Sequence, residues 1–414
     1  MNLNRQLHNF MQNLKALELF NKAQREIKND TGSIDLDDLD TAIEVLSHFT
    51  EKDISQEKVD DLNEKYESSG FTFELTEDDN NKKEVSFRIA NEETAKRFNE
   101  VVQFGDITYR KEELVNRNSL TSLMTFFENL VAGIIRLRLT LHPDSFNPKE
   151  KSIKYSDLLD FESIEEALEH LIEQEVMEIM YGGLKSWITY FNKAGINTKR
   201  VNALLEEVNE ASLRRNLVVH NDGIVNKVYL SKVDSKLIEE GISKGTRLKI
   251  SKEYLESKIM IIKIYGTIIL LESWKKLDKL NFKEAYVDKL AYDAMRNFEW
   301  EFAKYIYEFL FDNVDSYAYK KALQFNIWLC EKELGNFESI KEDIEKCDVG
   351  GLKTHYQLCR LSLLDRKEDF YDLLDTDPNC ITKDKFMEWP ILKYIRDGSR
   401  YEEFIKLEKE ELVN

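Results

Sequence analysis

Along most of the chain, apolar residues recur every three or four positions, the signature of helices with one buried face. Residues 3–27 show this spacing, and residues 34–49 show it again after the turn signal Asn29-Asp30-Thr31-Gly32. The period then drops to two. Phe71-Thr72-Phe73-Glu74-Leu75 and Val85-Ser86-Phe87-Arg88-Ile89 alternate apolar with polar residues on either side of an acidic, Asn-rich stretch at 77–81. That pattern predicts two paired strands joined by a solvated loop. A helix over 92–102 follows, so residues 1–115 read as an α+β region of their own.

From Asn118 the helical period returns and predicts four long helices. Leu120, Leu123, Met124, Phe127, Leu130, Val131 and Ile134 form the stripe of the first, which stops before Pro143. Ser163-Ile164-Glu165-Glu166 is a capping box that opens the second, running toward Phe191 with Gly182-Gly183 as a place to bend. The third spans about 200–220 and the fourth 252–277, with Ser251 as its N-cap. Residues 116–280 are therefore expected to form a helical bundle.

Residues 281–414 repeat a helix-pair pattern. Asn297-Phe298-Glu299, Gly335-Asn336-Phe337-Glu338, Glu368-Asp369-Phe370 and Tyr401-Glu402-Glu403-Phe404 each open a second helix after a short turn, with the phenylalanines 39, 33 and 34 positions apart. With Leu334-Gly335-Asn336-Phe337 at its centre, this stretch resembles a short, degenerate array of tetratricopeptide repeats.

Composition agrees with a mainly α chain. Four prolines and 15 glycines in 414 residues leave few breaks, and 42% apolar residues suffice for more than one core. The cysteines Cys330, Cys347, Cys359 and Cys380 form no C-x-x-C pair, which suits reduced thiols in a cytoplasmic protein. The most apolar stretch, 259–271, is interrupted by Lys263, and its longest uncharged run, 264–271, is too short to cross a bilayer, so no membrane is expected. The cluster Asp35, Asp37, Asp38 and Asp40 lacks the glycine and closing glutamate of a calcium loop and reads as a carboxylate-rich helix start.

Charge narrows the function. A net charge of −19 excludes a protein that coats nucleic acid non-specifically, because such affinity comes from neutralising phosphates with Lys and Arg. Residues 193–263 nevertheless carry 14 Lys/Arg against 9 Asp/Glu, a local positive field. Inside that field lies Arg214-Arg215-Asn216-Leu217-Val218-Val219-His220-Asn221-Asp222-Gly223. On a wheel of 100° per residue, Arg215 sits among Val201, Leu204, Leu205, Val208, Ser212 and Val219, where a guanidinium is costly unless paired, hydrated or placed in a cleft between subunits. Arg214 falls on the far face and reads as a solvated or RNA-backbone cation. His220 falls where Asn221-Asp222-Gly223 should end the helix. An imidazole can take and give a proton near neutral pH, as phosphodiester cleavage requires.

The stretch 214–226 resembles the active-site motif of the HEPN superfamily, in which an arginine is followed by a polar residue and, four to six residues later, a histidine. Residues 118–277 match the helix order of that fold. The resemblance implies RNA cleavage without a metal or other cofactor: the ribose 2′-hydroxyl attacks its own phosphate and leaves a 2′,3′-cyclic phosphate and a 5′-hydroxyl. It implies His220 as acid and base, Arg215 as the group that stabilises the phosphorane, and Asn216 as a supporting polar residue. It further implies a stress-response or anti-phage, toxin-like setting.

Arg215 and His220 lie five residues apart, about 140° around a straight helix, so two copies across a two-fold axis would bring them together. The expected partners are an RNA substrate, a second copy docking through the bundle, and a regulatory protein on the C-terminal repeats. A different reading of the same residues is a non-catalytic HEPN-like module that dimerises or binds a nucleotide while the repeats recruit a protein. No phosphate-cradling glycine loop, H-E-x-x-H or G-x-S-x-G motif competes with these two.

Overall fold

A computed structural model describes residues 2–26, 55–66, 70–77, 83–90, 92–146, 153–154, 156 and 161–404. The protein is mainly helical. In chain order the elements are α1 (Leu3–Glu26), α2 (Gln56–Tyr66), β1 (Phe71–Glu77), β2 (Lys83–Ile89), α3 (Glu92–Leu141), α4 (Ile164–Tyr181) and α5 (Gly183–Lys193). They continue with α6 (Leu205–Asn221), α7 (Lys227–Lys232), α8 (Lys252–Leu277), α9 (Glu284–Arg296), α10 (Trp300–Asn313) and α11 (Tyr317–Glu333). The last are α12 (Phe337–Lys346), α13 (Thr354–Leu363), α14 (Lys367–Thr376) and α15 (Lys383–Glu388). The helix expected over 34–49 and the Asp35 to Asp40 cluster lie outside the described residues.

Contacts divide the chain into two compact units. One comprises Met1–Gln12, Thr125–Ala211 and Ser257–Asn414, the other Asn13–Met124 and Ser212–Glu256. Compactness thus groups residues differently from the changes of sequence period at 115 and 280. α3 also differs from the sequence reading: it runs as one helix of 50 residues where two were expected. Nothing between residues 103 and 117 forces a break, since the stretch contains no proline and only Gly105.

In the first unit, α8 is buried nearly all round, with Ile262, Ile264, Ile268, Ile269, Leu270, Leu271 and Trp274 almost inaccessible, as a central helix requires. Phe127 meets Trp187 and Tyr265 edge-on at 5.9 and 5.8 Å. Gly266 lets Phe10 approach so closely that a Cβ there would lie 2.8 Å from its ring. Two lysines of this helix are buried and paired: Lys258 with Glu207 and, at 3.1 Å, with buried Glu210, and Lys263 with Glu299 at 2.6 Å. Ser163 caps α4 as expected, but Glu166 reaches back to the N–H of Glu162, one residue earlier than in a standard box. Gly182-Gly183 ends α4 outright, because Gly183 adopts φ 69°, and Trp187 Nε1 donates across the break to the Met180 carbonyl.

Residues 284–376 of the same unit form successive helices joined by short turns. α9 packs on α10, α10 on α11, α11 on α12 and α13, and α13 on α14. The recurring feature is a left-handed residue in four of the turns, Phe298, Gly335, Gly351 and Asp365. The phenylalanines themselves are not equivalent. Phe298 is the left-handed turn residue and 75% exposed, Phe337 is the first residue of α12, and Phe370 is fully buried in α14. Cys330, Cys347 and Cys359 are buried and Cys380 is half-buried, all of them free thiols. Burial pushes the Cys359 thiol up to about 12.

In the second unit, β1 and β2 pair antiparallel with Phe71 opposite Ile89 and Phe73 opposite Phe87. Their shared face packs with Val59, Leu62 and Tyr66 of α2. Asn63 fixes the strand by accepting from the Phe73 N–H at 2.6 Å and donating to its carbonyl at 3.0 Å. A second cluster, Leu217, Val225, Tyr229, Val233 and Leu248, sits under the end of α6.

Among the described residues, the Arg110–Leu141 part of α3 is long and apolar enough to span a bilayer, but 56% of its apolar window is buried inside the fold. That is how a core helix behaves.

Candidate active site

The chain enters α6 through a 3-10 turn, Lys199–Leu204, and then runs as an α-helix to Asn221. The early turn matters for the motif. A 3-10 residue advances about 120° rather than 100°, so a wheel started at Val201 is out of phase by the second half of the helix. The buried positions there are Ala211, Arg214, Leu217 and Val218, while Val219 is 49% exposed.

Arg214 accordingly turns inward, where Arg215 was expected. Arg214 is 3% exposed, corrected from a solvated cation to a structural one. Its guanidinium donates to the Lys249 carbonyl at 3.2 Å, pairs with Glu239 at 3.2 Å and lies 4.0 Å from the Tyr254 ring centroid. These partners supply the hydrogen bonds and the countercharge that a buried guanidinium needs. Arg215 is half-buried with its Nε enclosed. Asn216 and His220 are exposed, and neither side chain hydrogen-bonds to a described residue.

Arg215, Asn216 and His220 all lie on uninterrupted α-helix. Asn216 and His220, four apart, share a side, whereas Arg215 and His220 are separated by about 140° around the axis.

The helix stops just past His220. Asp222 and Gly223 are both left-handed, at φ 50° and 77°, and the Gly223 N–H returns to the Leu217 carbonyl at 3.0 Å, a backbone bond that closes seven residues over the last helical turn. The departing chain is held by bonds from Val225 N–H to the Thr246 carbonyl and from Leu248 N–H to the Gly223 carbonyl.

Four charged residues brace this end. Arg117 of α3 donates to the Val218 carbonyl at 3.1 Å and pairs with Asp222 at 2.7 Å and Glu113 at 3.4 Å. Arg247 pairs with the same two carboxylates at 3.2 and 3.1 Å. The hydrogen bond from Arg117, aided by Arg247, holds the Asp222 carboxyl below its usual range.

Beside this end lies a groove of about 460 Å³, lined by Arg110, Glu113, Arg117 and Thr121 of α3 and by Val218 and Val219 of α6. Sequence reasoning missed Arg117, Glu113 and Arg247. The first two stand about a hundred positions before the motif, and their only trace is the spacing of Arg110, Glu113 and Arg117 in a stretch that the sequence reading left between two helices.

Comparisons of the chain with protein-family models, curated proteins and solved structures yield no match.

Proposed function

We propose that the protein is a HEPN-type endoribonuclease that cleaves RNA by 2′-hydroxyl attack, leaving 2′,3′-cyclic phosphate ends, with no metal taking part. His220 serves as acid and base, Arg215 stabilises the charged phosphorane and Asn216 orients the imidazole. The observation that carries this reading is the state of the helix end. Asn216 and His220 project from it unpartnered among the described residues, while the backbone beneath them is fixed by the bond from the Gly223 N–H to the Leu217 carbonyl and by four charged side chains. A histidine kept for packing would be buried or bonded; this one is held out on a rigid support, as acid–base work demands.

Because Arg215 and His220 diverge around one helix, the working site is composite, formed when the bundle of residues 116–280 pairs with a second copy about a two-fold axis. The groove lined by Arg110, Thr121 and Val219 runs beside the motif and takes the RNA backbone. The hairpins of residues 281–414, read as tetratricopeptide-like, recruit a regulatory partner. A cytoplasmic, toxin-like role in stress or phage defence fits this arrangement.

The test is incubation of the purified chain with RNA in excess EDTA, with product ends typed and mass measured by light scattering. Cyclic phosphate ends made by a dimer support the proposal. Cleavage that requires added magnesium or zinc, or full activity in a monomer, overturns it. A dimer that binds nucleotides but never cuts RNA indicates the binding-module reading instead.

A further inference from the structure

The helices after residue 284 enclose a cavity of about 250 Å³ that the proposed chemistry does not use. Tyr292, Phe325, Tyr356 and Trp389 line it together with His355 and a single carboxylate, Asp288. Among the described residues, no lysine or arginine lines it. Trp389 is only half-buried because one side borders this space. The rings stand at varied angles: His355 stacks on Tyr356 at 4.5 Å and meets Trp389 edge-on at 5.8 Å. The cavity therefore presents both ring faces and ring edges.

Asp288 is the odd member. It forms no ion pair with a described residue, and its one bond is from the Tyr319 hydroxyl. Burial pushes its carboxyl above the usual range. A carboxylate kept from water without a countercharge is costly, and a cation entering the cavity would relieve that cost. His355 carries no competing charge, since burial first, and then Lys353 and Lys385, lower its proton affinity and leave a neutral ring that can accept an N–H; the same two ammonium groups act against a cation beside that ring, so the charge is placed at Asp288. The aromatic walls add attraction for a cation in a partly desolvated space.

We propose that this cavity binds a small organic cation, a guanidinium or alkylammonium on a short aliphatic stem, with Asp288 pairing its charge and the rings of Tyr292, Tyr356 and Trp389 enclosing its stem. The volume supports the size, since it equals the space of about eight water molecules and is too small for a dinucleotide or other large cofactor. The absence of a lining cation argues against a phosphate-bearing ligand. This site is independent of the proposed RNA chemistry.

Calorimetry on the full chain tests it with agmatine as the guanidinium probe and butylurea as its uncharged counterpart. Agmatine is expected to bind at one site per chain and butylurea to bind at least about tenfold more weakly. Asp288→Asn, which keeps an acceptor for Tyr319, is expected to weaken agmatine binding at least about tenfold while leaving the melting temperature nearly unchanged. Tyr292→Leu provides a second variant should Asp288→Asn fail to fold, and it too should weaken binding. A capped Gly-Arg-Gly peptide separates the sources: binding that depends on Asp288 assigns the cation to a partner's arginine, and its failure assigns it to a free amine. Absence of heat with both agmatine and the peptide, equal binding of butylurea, unchanged binding in both variants, or binding of adenosine in place of agmatine would overturn the proposal.

Discussion

The end of α6 and the hairpins of residues 284–376 fix their helices by opposite means. At the end of α6 the restraint is electrostatic and backbone-directed: Arg117 and Arg247 grip Asp222 and Glu113, and Arg214 is tied to the Lys249 carbonyl. In the hairpins it is apolar, with Phe302, Ile306, Phe309, Leu310, Leu323, Leu329 and Phe370 removed from water. The difference teaches where chemistry can reside. A helix end held by charges around its rim leaves its outward side chains uncommitted, and Asn216 and His220 are exposed with no side-chain bond to a described residue. A helix held by packing spends its side chains on the core, so a binding site arises there only where the packing is incomplete, as at Asp288.

The largest expected effect sharpens that contrast directly. His220→Ala should reduce RNA cleavage by about 10²–10⁴, the usual worth of acid–base catalysis, with a melting temperature nearly unchanged because the side chain is exposed. Arg215→Ala should lower cleavage by a similar factor. Unchanged cleavage in His220→Ala, or a clear loss of folding, would show that the residue is not held out for chemistry.

Next in size is the apolar side of the comparison. Phe309, fully buried and edge-on to Phe282 at 6.0 Å, should cost about 3–5 kcal/mol when replaced by alanine, read as a shift in the urea midpoint. A loss under about 1 kcal/mol would mean that packing does not carry this region.

The adjacent arginines give a third, smaller contrast. Arg214→Leu removes a buried guanidinium, strands the Lys249 carbonyl and should cost about 1–3 kcal/mol while its effect on cleavage follows only from stability. Arg215→Leu should do the reverse, sparing the fold more than the activity. If both variants behave alike, the assignment of one arginine to structure and the other to chemistry fails.

These assignments mark what could be read from the sequence. Periodicity placed α1, α8 and both strands, because each depends on neighbours a few positions away. Ser163 and Ser251 could be recognised as caps for the same reason, and both accept the expected N–H. The helix end after His220 was legible as well. The choice between Arg214 and Arg215 was not, since one 3-10 turn shifts the phase of everything after it. Nor was the clamp on Asp222, because Arg117 and Glu113 are brought to it by the fold from about a hundred positions away. Phe298 misled by identity: spacing singled out the ring, whereas the structure uses its backbone as a left-handed turn.

The smallest effect probes the clamp itself. Asp222 stands at φ 50°, which asparagine tolerates as well as aspartate, so Asp222→Asn removes charge with little change in backbone preference. The folded carboxyl titrates below its ordinary value of 3.8, chiefly through the hydrogen bond from Arg117. A depressed carboxylate contributes stability that is fully present above the unfolded value and lost as pH falls through the folded one. Wild type should therefore be slightly more stable than Asp222→Asn near neutral pH, and the two melting curves should converge on acidification below about pH 4. High salt should shrink the difference as well, since the pairs are open to solvent. A gap between the two proteins that persists in acid and in salt would mean that the end of α6 is held by its backbone cap alone, and that Arg117 and Arg247 act on something other than Asp222.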